Sequence, residues 1–297
     1  MARATATSAF GVGRRESHDA SGFYDRFEPP EVSTDDTVQP LPGLPQGAGA
    51  CILADARHMV LPGGAALPDN SVALVVTSPP YFSGKEYEQA LGRGHIPGSY
   101  LEYLEMLREV LSECKRVLEP GGRVAVNVAN LGRKPYRSLS ADVVRILQDD
   151  LRLLLRGEII WRKAEGASGS CAWGSFASAS NPVLRDVTER VVVASKGRFD
   201  RAPSARRREE LGFPHADGIT PEEFMEATLD VWSMAPERAS RVGHPAPFPV
   251  ELPQRLVELY TYREDVVVDP FMGSGSTLVA AIRSGRRYLG YDTDAEY

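Results

Sequence analysis

The chain has 297 residues, a hydrophobic content of 42%, a charged content of 25% and a formal net charge of −6. These values describe a globular protein large enough for one α/β domain with an insertion, or for two smaller domains. They exclude a disulfide framework or zinc site, because Cys51, Cys114 and Cys171 are odd in number and lack ligand spacing. No apolar run reaches membrane length, and "MARATATSAFGVGRR" has no apolar signal core, so a cytoplasmic setting is expected. The acidic balance gives no global pull toward nucleic acid, so a DNA binder of this composition must gather its positive charge on one face.

Residues 1–50 are rich in Gly, Pro, Ser and Asp and read as an irregular arm. From Cys51 the texture changes. "CILADA" is a short strand that ends in Asp55, and Val72–Thr77 is an unbroken apolar run bounded by turn residues. Such a run is the mark of a strand buried on both faces. Leu101, Leu104, Leu107, Val110, Leu111, Cys114 and Leu118 recur at three- and four-residue steps, which predicts an amphipathic helix with Ser99 as N-cap and "PGG" as its stop. "RVAVNVAN" then reads as a strand, "LSADVVRILQDDLRLLLRG" as a helix, and "EIIWRK" and "VTERVVVASK" as strands. A Gly/Ser-rich loop carrying Trp173 and Phe176 separates the last two. Residues 197–242 read as an insertion, with helical character in "TPEEFMEATLDVWSM" and a capping box from Thr220 to Glu223. The chain closes with a helix, a strand at Val266–Val268, a glycine loop, a helix and a strand at Tyr288–Tyr291. Strands alternating with helices predict a parallel sheet covered on both faces.

Two loops carry chemistry. Ser78-Pro79-Pro80-Tyr81 ends the apolar strand. Each proline fixes its own φ and pushes the preceding residue out of the helical region. The product is a stiff ledge with a hydroxyl, carbonyl acceptors and a flat ring, outside the carboxyl end of a strand, where open α/β sheets bind ligands. "DPFMGSGST", Asp269–Thr277, follows a strand and opens a helix, and Asp292 ends the next strand about twenty residues on. Its glycines allow close backbone approach to a ligand, and the helix behind offers free N–H groups. No Gly-Lys-Ser/Thr follows, so it is not a P-loop, and the dinucleotide form G-x-G-x-x-G is absent.

"TSPPY" at 77–81, "HPAPFP" at 244–249, "DPFMGSGST" at 269–277 and "GYD" at 290–292, in this order, resemble the amino-group DNA methyltransferases that use S-adenosylmethionine. With the proline loop ahead of the cofactor loop, the order is that of the permuted class beta. The resemblance runs from about Cys51 to the end. It implies a circularly permuted, Rossmann-like fold with a mostly parallel seven-stranded sheet, and a catalytic domain at 51–297 that holds a target-recognition insertion at about 197–242. It further implies that Ser78, Pro79, Pro80 and Tyr81 are catalytic. Asp269, Pro270, Phe271, Gly273, Ser274, Gly275 and Thr277 match the loop around the methionine part of the cofactor, and Ser276 stands where the family usually has Thr. Asp292 matches the acid on the ribose and Asp55 the acid beside the adenine. His244, Pro247 and Phe248 belong to the segment closing over the methionine end, although His244 and its prolines also fit a plain turn into the next helix. No metal is implied. In the family a helix follows the position where this sequence ends, and without it one edge of the sheet is expected to lie open.

In this reading Ser78 Oγ and the Pro79 carbonyl hold the N–H bonds of an exocyclic base amine, and Tyr81 stacks on a base flipped out of double-stranded DNA. Ser in the first position is associated in the family with N4 of cytosine, and N6 of adenine is the alternative. Lys196, Arg198, Arg201, Arg206, Arg207 and Arg208, in and beside the insertion, are the expected phosphate contacts, against a bland reading as a solvated loop. Trp173 and Phe176 fit a satellite hydrophobic cluster better than DNA-facing wedges. A cognate restriction endonuclease is the implied partner. A non-catalytic DNA-binding relic, or an enzyme acting on RNA or a small molecule, are the competing classes.

Overall fold

The computed structural model describes residues 32–41, 44, 47–80, 82, 99–131, 135–163, 174–237 and 248–295. These residues build an eight-stranded sheet: β1 Gly49–Leu53, β2 Val72–Thr77, β3 Leu118–Val128, β4 Leu154–Arg162, β5 Thr188–Ser195, β6 Val231–Ser233, β7 Val266–Asp269 and β8 Arg287–Asp292. Its order is β1-β8-β7-β2-β3-β5-β4-β6. All neighbours pair parallel except at β5, which runs antiparallel to both β3 and β4.

Helices cover both faces because successive strand residues point to opposite sides. Val75 packs into a core with Leu104, Leu107 and Leu111 of α1 (Tyr100–Val117) and Val143 of α2 (Leu139–Arg145). Leu74 and Val76 pack on the other side with Leu252, Leu256 and Val257 of α5 (Glu251–Tyr260) and Ala281 of α6 (Ser276–Arg283). The insertion supplies α3 (Ala205–Leu211) and α4 (Pro221–Ala227). Ser99 caps α1 and the Thr220–Glu223 capping box opens α4, as the sequence predicts.

Three expectations change. Among the described residues the sheet has eight strands, not seven, because "DVWSM" is not helical to its end: Val231–Ser233 forms β6 beside Ile160–Arg162, with Trp232 buried in the second core. "LRLLLRG" does not extend the second helix. That helix widens into a π-turn over Ile146–Asp150, Leu151 N–H donates to Ile146 O, and Arg152 turns the chain at φ 54. β4 therefore begins at Leu154. "EPGG" belongs to β3, which starts at Leu118. The described part of the N-terminal arm lies against the sheet domain: Ser33 N–H donates to Gly197 O, Gln39 N–H to Asn70 O, and Leu41 and Leu44 join the first core.

Strand direction sets which loops can meet. The carboxyl ends of β1, β8, β7, β2 and β3 share one edge of the sheet. β5 is reversed, so Thr188 lies on that edge and Ser195 on the opposite one, where it pairs with Arg123 at the start of the apolar part of β3.

Candidate active site

The sheet order reverses direction between β7 and β2, since β7 continues to β8 on one side and β2 to β3 on the other. Such a switch point opens a crevice outside the carboxyl ends of two neighbouring strands. The two loops singled out by the sequence flank it. Thr77, the last residue of β2, donates its hydroxyl to Asp269 Oδ1 at 2.8 Å. Thr277, at the start of α6, donates to Asp269 Oδ2 at 2.7 Å, and Phe271 N–H donates to Oδ1 at 3.1 Å. One buried carboxylate thus fastens the proline loop, the glycine loop and the helix behind it. Asp269 and Thr277 act here as a brace rather than as surface contacts, since both are buried. Burial pushes the Asp269 carboxyl up to about 6, and the three donors only partly offset it.

The glycine loop is tied to the next strand. Gly273 N–H donates to Asp292 Oδ2 at 2.9 Å and Asp294 N–H to Oδ1 at 2.9 Å. Each oxygen of Asp292 keeps a lone pair for a hydroxyl donor. Gly275 opens α6 at φ 78, a conformation side chains resist. Gly290 on β8 is required for a different reason: a Cβ there would sit 2.4 Å from Met272 Sδ. Asp55 follows β1, directly beside the end of β8, with Ala54 N–H donating to Asp292 O. Arg57 holds the Asp55 carboxylate through Nε and Nη2 and reaches Glu109 of α1, and these bonds keep Asp55 below the usual carboxylate range. Phe248 comes to the same crevice, its carbonyl accepting from Ser276 Oγ at 3.0 Å. Pro270 is buried, and Phe271 and Ser274 are half-buried. His244, Pro247, Tyr81 and Trp173 lie outside the described residues.

Around Ser78 the structure adds three residues that sequence reasoning missed. Asn127 of β3 donates from Nδ2 to Glu189 Oε2 of β5 at 2.6 Å, and the same nitrogen lies 3.4 Å from Ser78 Oγ. Lys163 forms an ion pair with the other oxygen of Glu189. The carboxylate accepts only, so it fixes which end of the Asn127 amide faces Ser78. "NVAN" offers no signal of this, because the partners are 62 residues apart in sequence. Beyond Pro80, Phe82 packs on Tyr100 and Tyr103 at centroid distances of 6.0 and 5.7 Å, which joins the end of the proline loop to α1.

The six basic residues expected to face DNA do not share a face. They follow β5 on the edge opposite Ser78. Lys196 Nζ donates to Asn70 Oδ1, Arg116 O and Leu118 O, and burial lowers its pKa to about 8. Arg198 pairs with Asp200. Arg201 and Arg208 are 8% and 1% exposed and form a buried network with Glu119 and Asp265 under the ring of Tyr262. Arg206 and Arg207 are exposed, and both contact Glu210. Charges inside a protein need partners, and these found theirs within the fold.

Comparison with known proteins agrees with this architecture. A candidate DNA modification methylase of Thermus thermophilus, solved with S-adenosyl-L-methionine, is 30% identical, covers 84% of this chain and 91% of its own, and superposes with a TM-score of 0.61. The cytosine-N4-specific PvuII DNA methyltransferase, 19% identical over 86% of both chains, shares the fold with a TM-score of 0.61. Type II methyltransferase M.MthZI of Methanothermobacter thermautotrophicus is 29% identical over 253 residues, which is 78% of this chain and 70% of that protein. M.MjaVI of Methanocaldococcus jannaschii is 32% identical over 172 residues, covering 58% of this chain and 80% of its own. Residues 72–297, from the strand that carries the proline loop through the glycine loop and Asp292, match the N6/N4 DNA methylase family, and the chain belongs to it.

Proposed function

We propose that the protein transfers a methyl group from S-adenosylmethionine to the N4 amine of a cytosine flipped out of double-stranded DNA at a specific sequence. The observation that carries the reading is the Asp269 brace, which joins the cofactor-type loop and the Ser-Pro-Pro ledge across two neighbouring strands. The residues present suit the cofactor. The backbone at Gly273–Gly275 opens a helix N-terminus, and Asp292 holds that loop while retaining acceptor capacity for ribose hydroxyls. Asp55, oriented by Arg57, stands beside the end of the same strand for the adenine side. The solved Thermus thermophilus relative, bound to S-adenosyl-L-methionine, supports this choice of cofactor.

The cofactor supplies an electrophilic methyl group on a sulfonium, and the chain supplies position and acceptors. The cytosine amine is a poor nucleophile because its lone pair is delocalised into the ring. Ser78 Oγ and the Pro79 carbonyl accept its two N–H bonds and favour a pyramidal nitrogen whose lone pair points at the methyl group. Asn127 Nδ2 faces Ser78 Oγ and helps to fix the position of that oxygen beside the Pro79 carbonyl. With the cofactor bound, transfer would leave the S–C electron pair on a neutral thioether, and the proton lost from the amine nitrogen would pass to solvent water. Two prolines hold the acceptors in place, so little ordering remains at the moment of reaction.

Serine in the first position of the motif favours cytosine N4 over adenine N6. The Type II names of the relatives support a restriction-modification pair with an endonuclease of the same sequence. The test is methyl transfer from labelled cofactor to unmethylated genomic DNA, with nucleosides identified by mass. N4-methylcytosine is expected. N6-methyladenine would keep the mechanism and overturn the base assignment, and label confined to RNA would overturn the DNA reading.

A further inference from the structure

The Gly/Ser-rich loop between β4 and β5 holds a built feature. Residues Gly174–Pro182 form a small closed tip, bridged antiparallel at its base. Ser175 N–H donates to Asn181 O at 2.9 Å, Asn181 N–H returns to Ser175 Oγ at 2.8 Å, and Ser175 Oγ–H donates to Ser178 O at 2.8 Å. Gly174 permits the closure, since a Cβ there would lie 2.0 Å from Asn181 O. The backbone is therefore fastened by its own short-range bonds. Yet Phe176 is 77% exposed, and Leu184, two residues past the tip, is 96% exposed. Neither side chain belongs to a buried core, and Trp173, the other member of the expected satellite cluster, lies outside the described residues.

Strand direction places this loop. It leaves β4 at Arg162 and enters β5 at Thr188, on the edge that carries Ser78. Arg190 of β5 pairs with Val128 of β3, one residue past Asn127, whose amide faces Ser78. β5 is two strands from β2, roughly 10 Å across the sheet. Arg162 and Arg185 are exposed at the base of the loop. Any duplex that delivers a base to Ser78 must pass over this edge.

We propose that the Gly174–Pro182 tip is a wedge that enters duplex DNA beside the target nucleotide, with Phe176 occupying the gap as the base leaves the stack and Leu184 packing against the same step. Unstacking a base is unfavourable, and an apolar side chain that fills the gap lowers the cost of the extruded state. A pre-fastened tip suits this role, because little backbone ordering remains on binding. The inference rests on the DNA methyltransferase reading and adds to it the element that extrudes the base.

The test uses the full-length protein and two duplexes carrying the methylated sequence mapped on genomic DNA. In one the target base is paired, and in the other it is mispaired and already loose. Phe176→Ala and Leu184→Ala are compared with the wild type, and Phe176→Leu keeps an apolar filler. Thermal melts check that the variants fold. Phe176→Ala is expected to lower kcat/KM on the paired duplex by about tenfold or more. It should act within about threefold of the wild type on the mispaired duplex, and Phe176→Leu should recover part of the loss. Equal activity of Phe176→Ala and wild type on the paired duplex overturns the wedge, as does an equal loss on both duplexes. A wild-type chain that methylates neither duplex overturns the methyltransferase reading itself, and the wedge with it.

Discussion

Asp269 is the keystone of the crevice, and its protonation has a measurable signature. The carboxyl is fully buried, and its pKa rises from 3.8 to about 6. At neutral pH it is ionised and fastens three donors, but burial makes that charge unfavourable. A raised carboxyl pKa means that between pH 4 and 6 the folded protein binds a proton that the unfolded chain has lost. The stability linked to this group is fully present below about pH 4 and is lost as pH rises through 6. A shift of about two units corresponds to ~3 kcal/mol. Asp269→Asn removes the titration. The difference in unfolding free energy between wild type and Asp269→Asn, from urea melts at intervals from pH 4 to 7, should therefore move by ~3 kcal/mol in favour of the mutant as pH rises. Other titrating groups cancel in the difference. Cofactor affinity of the wild type is expected to run the opposite way and weaken below pH 6, because the protonated carboxyl has less acceptor capacity for Thr77, Thr277 and Phe271. A pH-independent difference would refute the raised pKa and the account of the brace.

Two further expectations follow from side chains outside the motifs. Asn127→Ala should leave cofactor affinity unchanged and lower kcat by roughly tenfold, since it removes the donor shared by Ser78 and Glu189 without touching the glycine loop; steady-state kinetics beside calorimetry separates the two, and a loss of cofactor affinity would contradict this role. Arg208→Ala should destabilise the fold by ~3–5 kcal/mol by leaving Glu119 and Asp265 short of a partner, with KM for DNA unchanged below the melting point. A raised KM without a lowered Tm would instead restore the expected phosphate contact.

The central sheet was legible because strands buried on both faces are continuous apolar runs, as at Val72–Thr77 and Val266–Val268. The crevice was legible because its loops are local in sequence: two prolines stiffen one, and glycines with a following helix shape the other. What failed was non-local. Whether β5 runs with or against its neighbours is set by sheet pairing, not by the pattern of "TERVVVAS", and that direction sends Lys196–Arg208 away from Ser78. The cluster of arginines reads as solvent-facing in sequence because its partners, Glu119 and Asp265, are 57 to 89 residues away. β6 has only three residues, too short to show a period of two, and it forms because Trp232 finds a pocket under α5. The Asn127–Glu189–Lys163 chain crosses three strands and has no motif.

The proposed function divides the labour: the glycine loop and Asp292 would hold the cofactor, and Ser78 would serve the amine. Ser78→Ala tests it most directly, with S-adenosylmethionine affinity measured by calorimetry and methyl transfer to DNA measured on the same preparation. Cofactor affinity within about twofold of the wild type and transfer lowered by about a hundredfold or more are expected. Transfer at the wild-type rate, or loss of cofactor binding in place of transfer, would contradict it.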